Sequence, residues 1–415
     1  MRRSAGPLTA RPFLLLAGGR TTSMLGNAMA PIALAFAVLD ITHHSARDLG
    51  MVLAVRGVAL VAFLLLGGVI SDRLPRQVVM IGSCITAGLS ESATAELLLT
   101  GHARVAVLAA LQAVNGASAA FTIPSTGALI PQVVPADVLR QANVVIRMGG
   151  NVTTIAGAAL GGIVVAVAGP GWGIAIDAGT FFVAAAMIAG VRVPRVTAGR
   201  TASMFRELAE GWRWFWTRTW LWVVVVQFAF INMAYSAAYN VLGPLVADQR
   251  LGGAAAWGTI VAADGAGLIL GGFVSAWRHD KRPLLAGNNA LMLELPMLGL
   301  LAVAAPLPLV ASAAVLAGVG IEIFGVRWIT TMQEQIPEGM QSRMFAYDAL
   351  GSFLFVPLGQ ILAGPMQGLL GTAGAIWAGT AVIAAALVTV DFVPQVRAVR
   401  AGKVSQPELP GVVPA

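Results

Sequence analysis

Twelve long, almost uncharged runs constrain this chain more than any motif in it. They lie near 12–39, 49–71, 77–99, 105–130, 140–168, 172–191, 219–246, 255–277, 284–305, 308–332, 343–370 and 372–394. A helix crossing a hydrocarbon core of about 30 Å needs roughly 20 predominantly apolar residues, because each adds about 1.5 Å. The alternating polar and apolar pattern of a membrane barrel is absent, so helices are the expected form. Composition agrees: of 415 residues 57% are hydrophobic and 11% charged, too little charge for the surface of a soluble domain this large. The first run continues unbroken to Leu39 without a small-residue cleavage site, so it reads as a span and not as a signal peptide.

Orientation follows from the bases between the runs. If every second loop joins the N-terminus on one side, that side holds nineteen of them and the other only Arg47, Arg104 and Arg250. By the positive-inside rule both termini are expected in the cytoplasm and the chain in the cytoplasmic membrane. The net charge of +7 is therefore loop punctuation and not a nucleic-acid footprint, which would form a patch on a soluble module. The longest polar interruption runs from Arg192 to Arg218 and contains MFRELAEGWRWFWTRTWLW, a basic, tryptophan-rich piece expected to lie as an amphipathic helix in the interface. It divides the chain into a six-helix bundle over 1–191, a linker over 192–218, a second bundle over 219–394 and a tail over 395–415.

The two halves echo each other. Gly67-Gly68 recurs as Gly271-Gly272, 204 positions on, while Pro135, Gly157 and Gly162 recur as Pro337, Gly359 and Gly364, each 202 on. A shared displacement points to a parallel six-plus-six duplication, whose halves meet at a cavity near the bilayer midplane and rock about it.

With these features in place the chain resembles the major facilitator superfamily. GGVISDRLPR (67–76) is similar to that family's signature between spans two and three: Gly68, Asp72, Arg73 and Arg76 match, while Pro75 stands for a glycine and Gln77 for a base. Gly157, Gly161 and Gly162 resemble the end of the family's antiporter motif, with Ala158 in place of its proline. In LAALQAVNGASAA (108–120), Gln112 stands where a related motif carries arginine. PADVLRQAN (135–143), AIDAGTFF (175–182) and TTMQEQIPEG (330–339) are similar to the bacterial branch of siderophore and macrolide exporters. The resemblance implies an all-α membrane fold of twelve helices in two pseudo-symmetric bundles. It also implies that Asp72 and its bases latch the halves together while the cavity faces outward, with Asp348 as a partner for Arg73 or Arg76.

Charge inside a span is costly, so each case calls for a reason. The bases are Arg20, Arg56, Arg147 and Arg327; the acids are Glu91, Glu96, Asp177, Asp264, Glu294 and Glu322. Arg20, a third of the way along the first run, is expected to meet an anionic substrate or a buried carboxylate. Proton coupling needs a carboxylate that burial readies for protonation and that two conformations expose to opposite sides. Asp264 and Glu322, at mid-depth on helices expected near the cavity, come first. Glu91 and Glu294 are as deep but on spans that are peripheral in the family, and Glu96 and Asp177 are expected to reach water. Gln112, Asn115, Gln227, Asn232, Tyr235 and Tyr239 are expected to offer hydrogen bonds to a ligand among Phe, Met and Trp surfaces.

No catalytic constellation is present, and without a Walker loop the expected energy source is the proton gradient, with no cofactor. Cys84 is expected to be a buried small hydrophobe, and His43-His44 lacks the partners of a metal site, so no metal is expected. The leading expectation is a non-enzymatic secondary transporter, acting as a monomer in the bilayer, that exports a hydrophobic or amphipathic small molecule such as an antibiotic, siderophore or secondary metabolite against inward proton flow. Alternatives are an uptake permease for a metabolite and a non-transporting sensor; the latter calls for a large appended domain, and only a short tail follows the last run.

Overall fold

The computed structural model describes residues 10–134, 139–191, 204–278, 280–337 and 340–402. Among them there is helix and no strand. In chain order the first half holds α1 (Arg11–Ile41), α2 (Ala46–Arg73), α3 (Arg76–Leu99), α4 (Val105–Val133), α5 (Leu139–Ala168) and α6 (Pro170–Ala189). A linker helix, α7 (Met204–Thr217), precedes α8 (Thr219–Leu251), α9 (Ala254–Trp277), α10 (Pro283–Ala302), α11 (Leu307–Gln335), α12 (341–370) and α13 (372–391).

Length and apolarity alone single out 10 membrane-crossing segments among the described residues, against the twelve expected. α2, at 28 residues, also exceeds the length a span needs, and its charged residues Arg47, Asp48 and Arg56 lie toward its N-terminal end. The last two expected runs are counted as one because α12 and α13 follow each other directly at Gly371, whose φ of 72° no L side chain adopts readily; within α12 a turn at 354–355 separates Gln341–Phe353 from the helix that starts at Val356.

Two of the irregular turns inside the long helices trace to proline. Pro244 has no N–H to offer the Asn240 carbonyl, and α8 widens into π-helix over Ser236–Val241 just before it. Pro296 likewise leaves the Met292 carbonyl without its usual donor, and α10 tightens into 3-10 helix over Leu291–Leu293.

In the first half α1 packs on α5 and α6, α3 on α4 and α6, and α2 on α4; in the second, α9 and α10 pack on α11, and α8 on α12 and α13. The halves meet along α5 with α9 and α2 with α12. Small residues set both contacts. A side chain on Gly162 would meet the Ala254 carbonyl at 2.7 Å, and one on Gly258 would meet the Ala158 carbonyl at 2.7 Å. Gly50 lies directly against the Gln360 backbone, and Gly364 against Arg47.

These close approaches share one end of the molecule, where α1, α3 and α5 finish and α2 and α9 begin. His44 Nδ1 reaches Asp248 Oδ2 across the halves at the same end, 2.5 Å apart. We call this the distal end; the other, where α1 and α3 begin, is the terminal end. The structure is closed distally.

α7 is amphipathic, as its sequence leads one to expect, and it docks on the start of α12 as well. Trp212 and Phe215 meet the ring of Tyr347 at 5.6 and 6.0 Å, and Gly211 lets the helix come close.

Candidate functional site

Each half encloses a cavity toward the terminal end. In the first half it measures about 250 Å³, between α1, α3, α4 and α6. Arg20, Ser23 and Asn27, one turn apart on α1, supply its polar wall; Asn115, Ser118 and Thr122 on α4 face them across Met24, Met80, Cys84 and Phe181. Cys84 is buried, and it also borders this space. Arg20 makes no ion pair or hydrogen bond among the described residues, and its Nε is buried without a partner. A guanidinium carries five N–H donors and no acceptor, so this cavity presents an unanswered cation.

Behind that wall lies a buried polar cluster. Glu91 accepts from Asn115 Nδ2 at 2.7 Å and from Gln112 Nε2 at 3.2 Å, both on the same carboxylate oxygen. Gln112, expected along the cavity, is thus committed to Glu91. Asp177, expected to reach water, is 1% exposed, with Thr180 Oγ1 3.5 Å from its Oδ1. It fits because Gly26 on α1 has no side chain: any added atom would strike Asp177 and Thr180. Arg56, brought against α4 by the close approach of Gly116, lies within electrostatic reach of both acids.

The second half encloses about 540 Å³ between α8, α10, α11 and α12. Asn232, Tyr235, Glu294, Asp348 and Ser352 are its polar lining, among Phe228, Phe324, Trp328 and Phe345. Asn232 donates to the Ser352 carbonyl at 3.0 Å. Tyr239 does not line the cavity; it stands in the π turn, its ring 4.8 Å from Tyr235 and 4.7 Å from Trp257. Asp264 and Glu294 both interact electrostatically with this tyrosine pair, and Asp264 Oδ1 is buried without a partner. Glu294, placed on a peripheral span by its sequence, reaches the cavity because α10 tightens immediately before it.

Two other expectations are relocated. Gln227 belongs to a network joining three helices: its Nε2 donates to Asn288 Oδ1 at 2.6 Å, and Asn288 Nδ2 donates to Asp391 Oδ1 at 2.8 Å. That is helix-to-helix bonding away from the cavity. Glu322 lies between α11 and α9, where Gly271 and Gly272 make room for its side chain.

A family model described as Major Facilitator Superfamily matches residues 16–359. The chain belongs to the major facilitator superfamily. The enterobactin exporter EntS of Escherichia coli O127:H6 is 24% identical over 357 residues, covering 78% of this chain and 80% of that protein. Among solved structures, the nucleoside transporter NupG superposes with a TM-score of 0.72 at 12% identity, covering 92% of this chain and 98% of that one. The D-xylose-proton symporter gives 0.72 at 13%, covering 93% and 98%. These structures share the fold. The chain is thus a multi-pass membrane transporter of this superfamily and not an enzyme.

The superfamily's signature elements divide between the two kinds of contact. Gly157 and Gly161 pack against α1, near Leu25, Ala28 and Met29, whereas Gly162 faces α9 across the halves. The side chains of Gly68, Asp72, Arg73 and Arg76 lie outside the described residues. Asp348 accepts from Trp328 Nε1 at 3.0 Å and from Ser352 Oγ at 3.2 Å, both within its own half. In the second half Ala276 stands at the position duplicating Asp72, but Asp280 supplies an acid four residues later. Arg327 Nε and Nη2 both bond its Oδ2, the former at 2.8 Å, and Nη1 reaches Ser275 Oγ at 3.3 Å. The repeat signal misses Asp280 because it falls out of register, and nothing in its spacing marks it.

Proposed function

We propose that this transporter exports an amphipathic anion from the cytoplasm in exchange for protons, by alternating access. The observation that carries the reading is the unpaired Arg20 in a cavity otherwise bordered by Met24, Met80, Phe181 and small polar groups. An apolar enclosure with one convergent cation selects a molecule with a hydrophobic body and a negative group. With the termini in the cytoplasm, as the loop bases direct, the terminal end is the cytoplasmic one and the distally closed structure is the inward-open state. That is the state in which an exporter loads. The likeness to the enterobactin exporters supports export over uptake.

The test is transport into inverted membrane vesicles with an imposed pH gradient, using enterobactin as the anionic probe and ethidium as a cationic one. Enterobactin should accumulate, and stop accumulating when the gradient is collapsed. Accumulation that survives collapse of the gradient would remove proton exchange, and accumulation of ethidium alone would remove the anion.

A further inference from the structure

Beside the first-half cavity, one buried cluster holds more acceptor oxygens than donors. Glu91, Gln112 and Asp177 are each 1% exposed. Glu91 Oε2, Gln112 Oε1 and Asp177 Oδ2 are all buried without hydrogen-bond partners among the described residues. Ionised carboxylates only accept, so with both acids charged these three oxygens have nothing to bond. An orphaned buried acceptor forfeits the hydrogen bonds it would make in water, so each one destabilises the fully ionised cluster. One proton changes the balance, because a carboxyl O–H turns an acceptor into a donor among acceptors.

Charge leads to the same number. Among the described residues, the charged groups that act on the pair from the packed helices are Arg56 on α2 and the two acids themselves, on α3 and α6; α4 contributes the neutral Gln112 and Asn115, and α1 contributes Gly26. Two carboxylates and one guanidinium leave a single negative charge out of water, and one bound proton cancels it. An uncompensated buried charge is among the costliest states a protein interior can hold.

The cluster is connected to the transport path by two contacts. Asn115 donates to Glu91 and also borders the cavity that holds Arg20. Asp177 sits under Gly26, one and a half turns along α1 from Arg20, so whatever changes the carboxyl changes the surface on which α1 rests. The other half does not repeat this arrangement. Glu294, 203 positions after Glu91 and so at the duplicated site, opens directly on the larger cavity.

We propose that Glu91 and Asp177 together bind one exchangeable proton, balanced by Arg56 and linked to the substrate cavity through Asn115 and Gly26. The site deepens the proton-exchange reading and rests on it for its role in transport, though not for its existence. Binding places the proton on a carboxylate oxygen of the pair; release on the other side of the membrane restores the ionised pair.

Infrared difference spectra of the purified protein in lipid, recorded as pH is raised, read the site without a substrate. The wild type should lose a carbonyl band of protonated carboxylic acid, and Glu91→Gln and Asp177→Asn should each abolish or displace that band, while Asp264→Asn leaves this component in place. Arg56→Gln, which removes the balancing cation, should retain the band to higher pH; this variant serves if either acid replacement fails to fold. Bands unchanged in all three cluster variants would overturn the site.

Transport separates the site from the wider reading. One pH unit driving exchange of one proton supports an accumulation ratio of about tenfold. Glu91→Gln and Asp177→Asn should forfeit it while keeping enterobactin exchange at equal pH. If both variants remain coupled, the site falls. If the wild type is uncoupled while the band still depends on Glu91 and Asp177, proton antiport falls and the site stands.

Discussion

At the scale of single residues, Arg20 and Gln227 show how two polar side chains inside apolar helices come to opposite uses. Arg20 has no partner among the described residues, so replacing it removes an interaction available only to a ligand. Charge-assisted hydrogen bonds contribute about 1.5–3 kcal/mol, so Arg20→Leu should weaken binding of an anionic substrate by roughly tenfold or more with little change in thermal stability. Arg20→Lys keeps the charge and should recover part of that loss, read as KM in vesicle transport; equal KM in all three proteins would refute the assignment. Gln227 is the reverse case. Asn288→Ala should leave Gln227 only the longer bond to the Ala386 carbonyl, take a donor from Asp391, and lower stability in detergent by about 1–3 kcal/mol, with KM unchanged. The sequence revealed depth along a helix but not direction around it. Asp177 therefore looked able to reach water, and Gln227 looked available to a ligand, because the faces they occupy are fixed by Gly26 and Asn288 on other helices.

At the scale of helices, most of the architecture could be read directly, since length and apolarity mark a span with no help from its neighbours. The repeat is a matter of spacing, which a duplication preserves. Irregular turns were harder: Pro244 and Pro296 are visible, but whether a proline kinks, widens or tightens its helix depends on the packing around it. Gly162 allows a sharper test at this scale. It was legible as part of a motif, whereas its contact with Ala254 and Gly258 appears only once α5 and α9 are placed together. A Val at this position would press on backbone that cannot yield locally, at 2.7 Å from the Ala254 carbonyl and 3.0 Å from Gly258 Cα. Overpacking of this kind costs about 1–3 kcal/mol, enough to shift a two-state population by roughly five- to 150-fold. Gly162→Val should thus open the distal end. Spin labels at His43 and Arg250, exposed on opposite halves, should move apart; an unchanged distance would mean that the α5–α9 contact does not hold the closed state.

For the whole molecule, distal closure implies a second state in which the terminal end closes, and the two must differ by little for transport to run. The His44–Asp248 pair is half exposed on the histidine side, so it contributes no more than about 1 kcal/mol to distal closure. That suits a gate that has to open. The opposite gate needs contacts of its own, and we propose that Asp348 helps to make them. It is held by Trp328 and Ser352, two neutral donors in its own half. Closing the terminal end would let it exchange them for the bases Arg73 and Arg76, a stronger, charge-assisted set. Asp72→Asn and Asp348→Asn should each slow transport by about tenfold or more, through loss of a contact made only in the distally open state. Both should leave folded protein with its labels at His43 and Arg250 held close, since the contacts described at the distal end involve neither carboxylate. Normal transport by Asp72→Asn would remove the latch. A large fall in transport with the distal labels spread apart would place the defect in the closed state instead, and would assign Asp348 to holding α12 on α11.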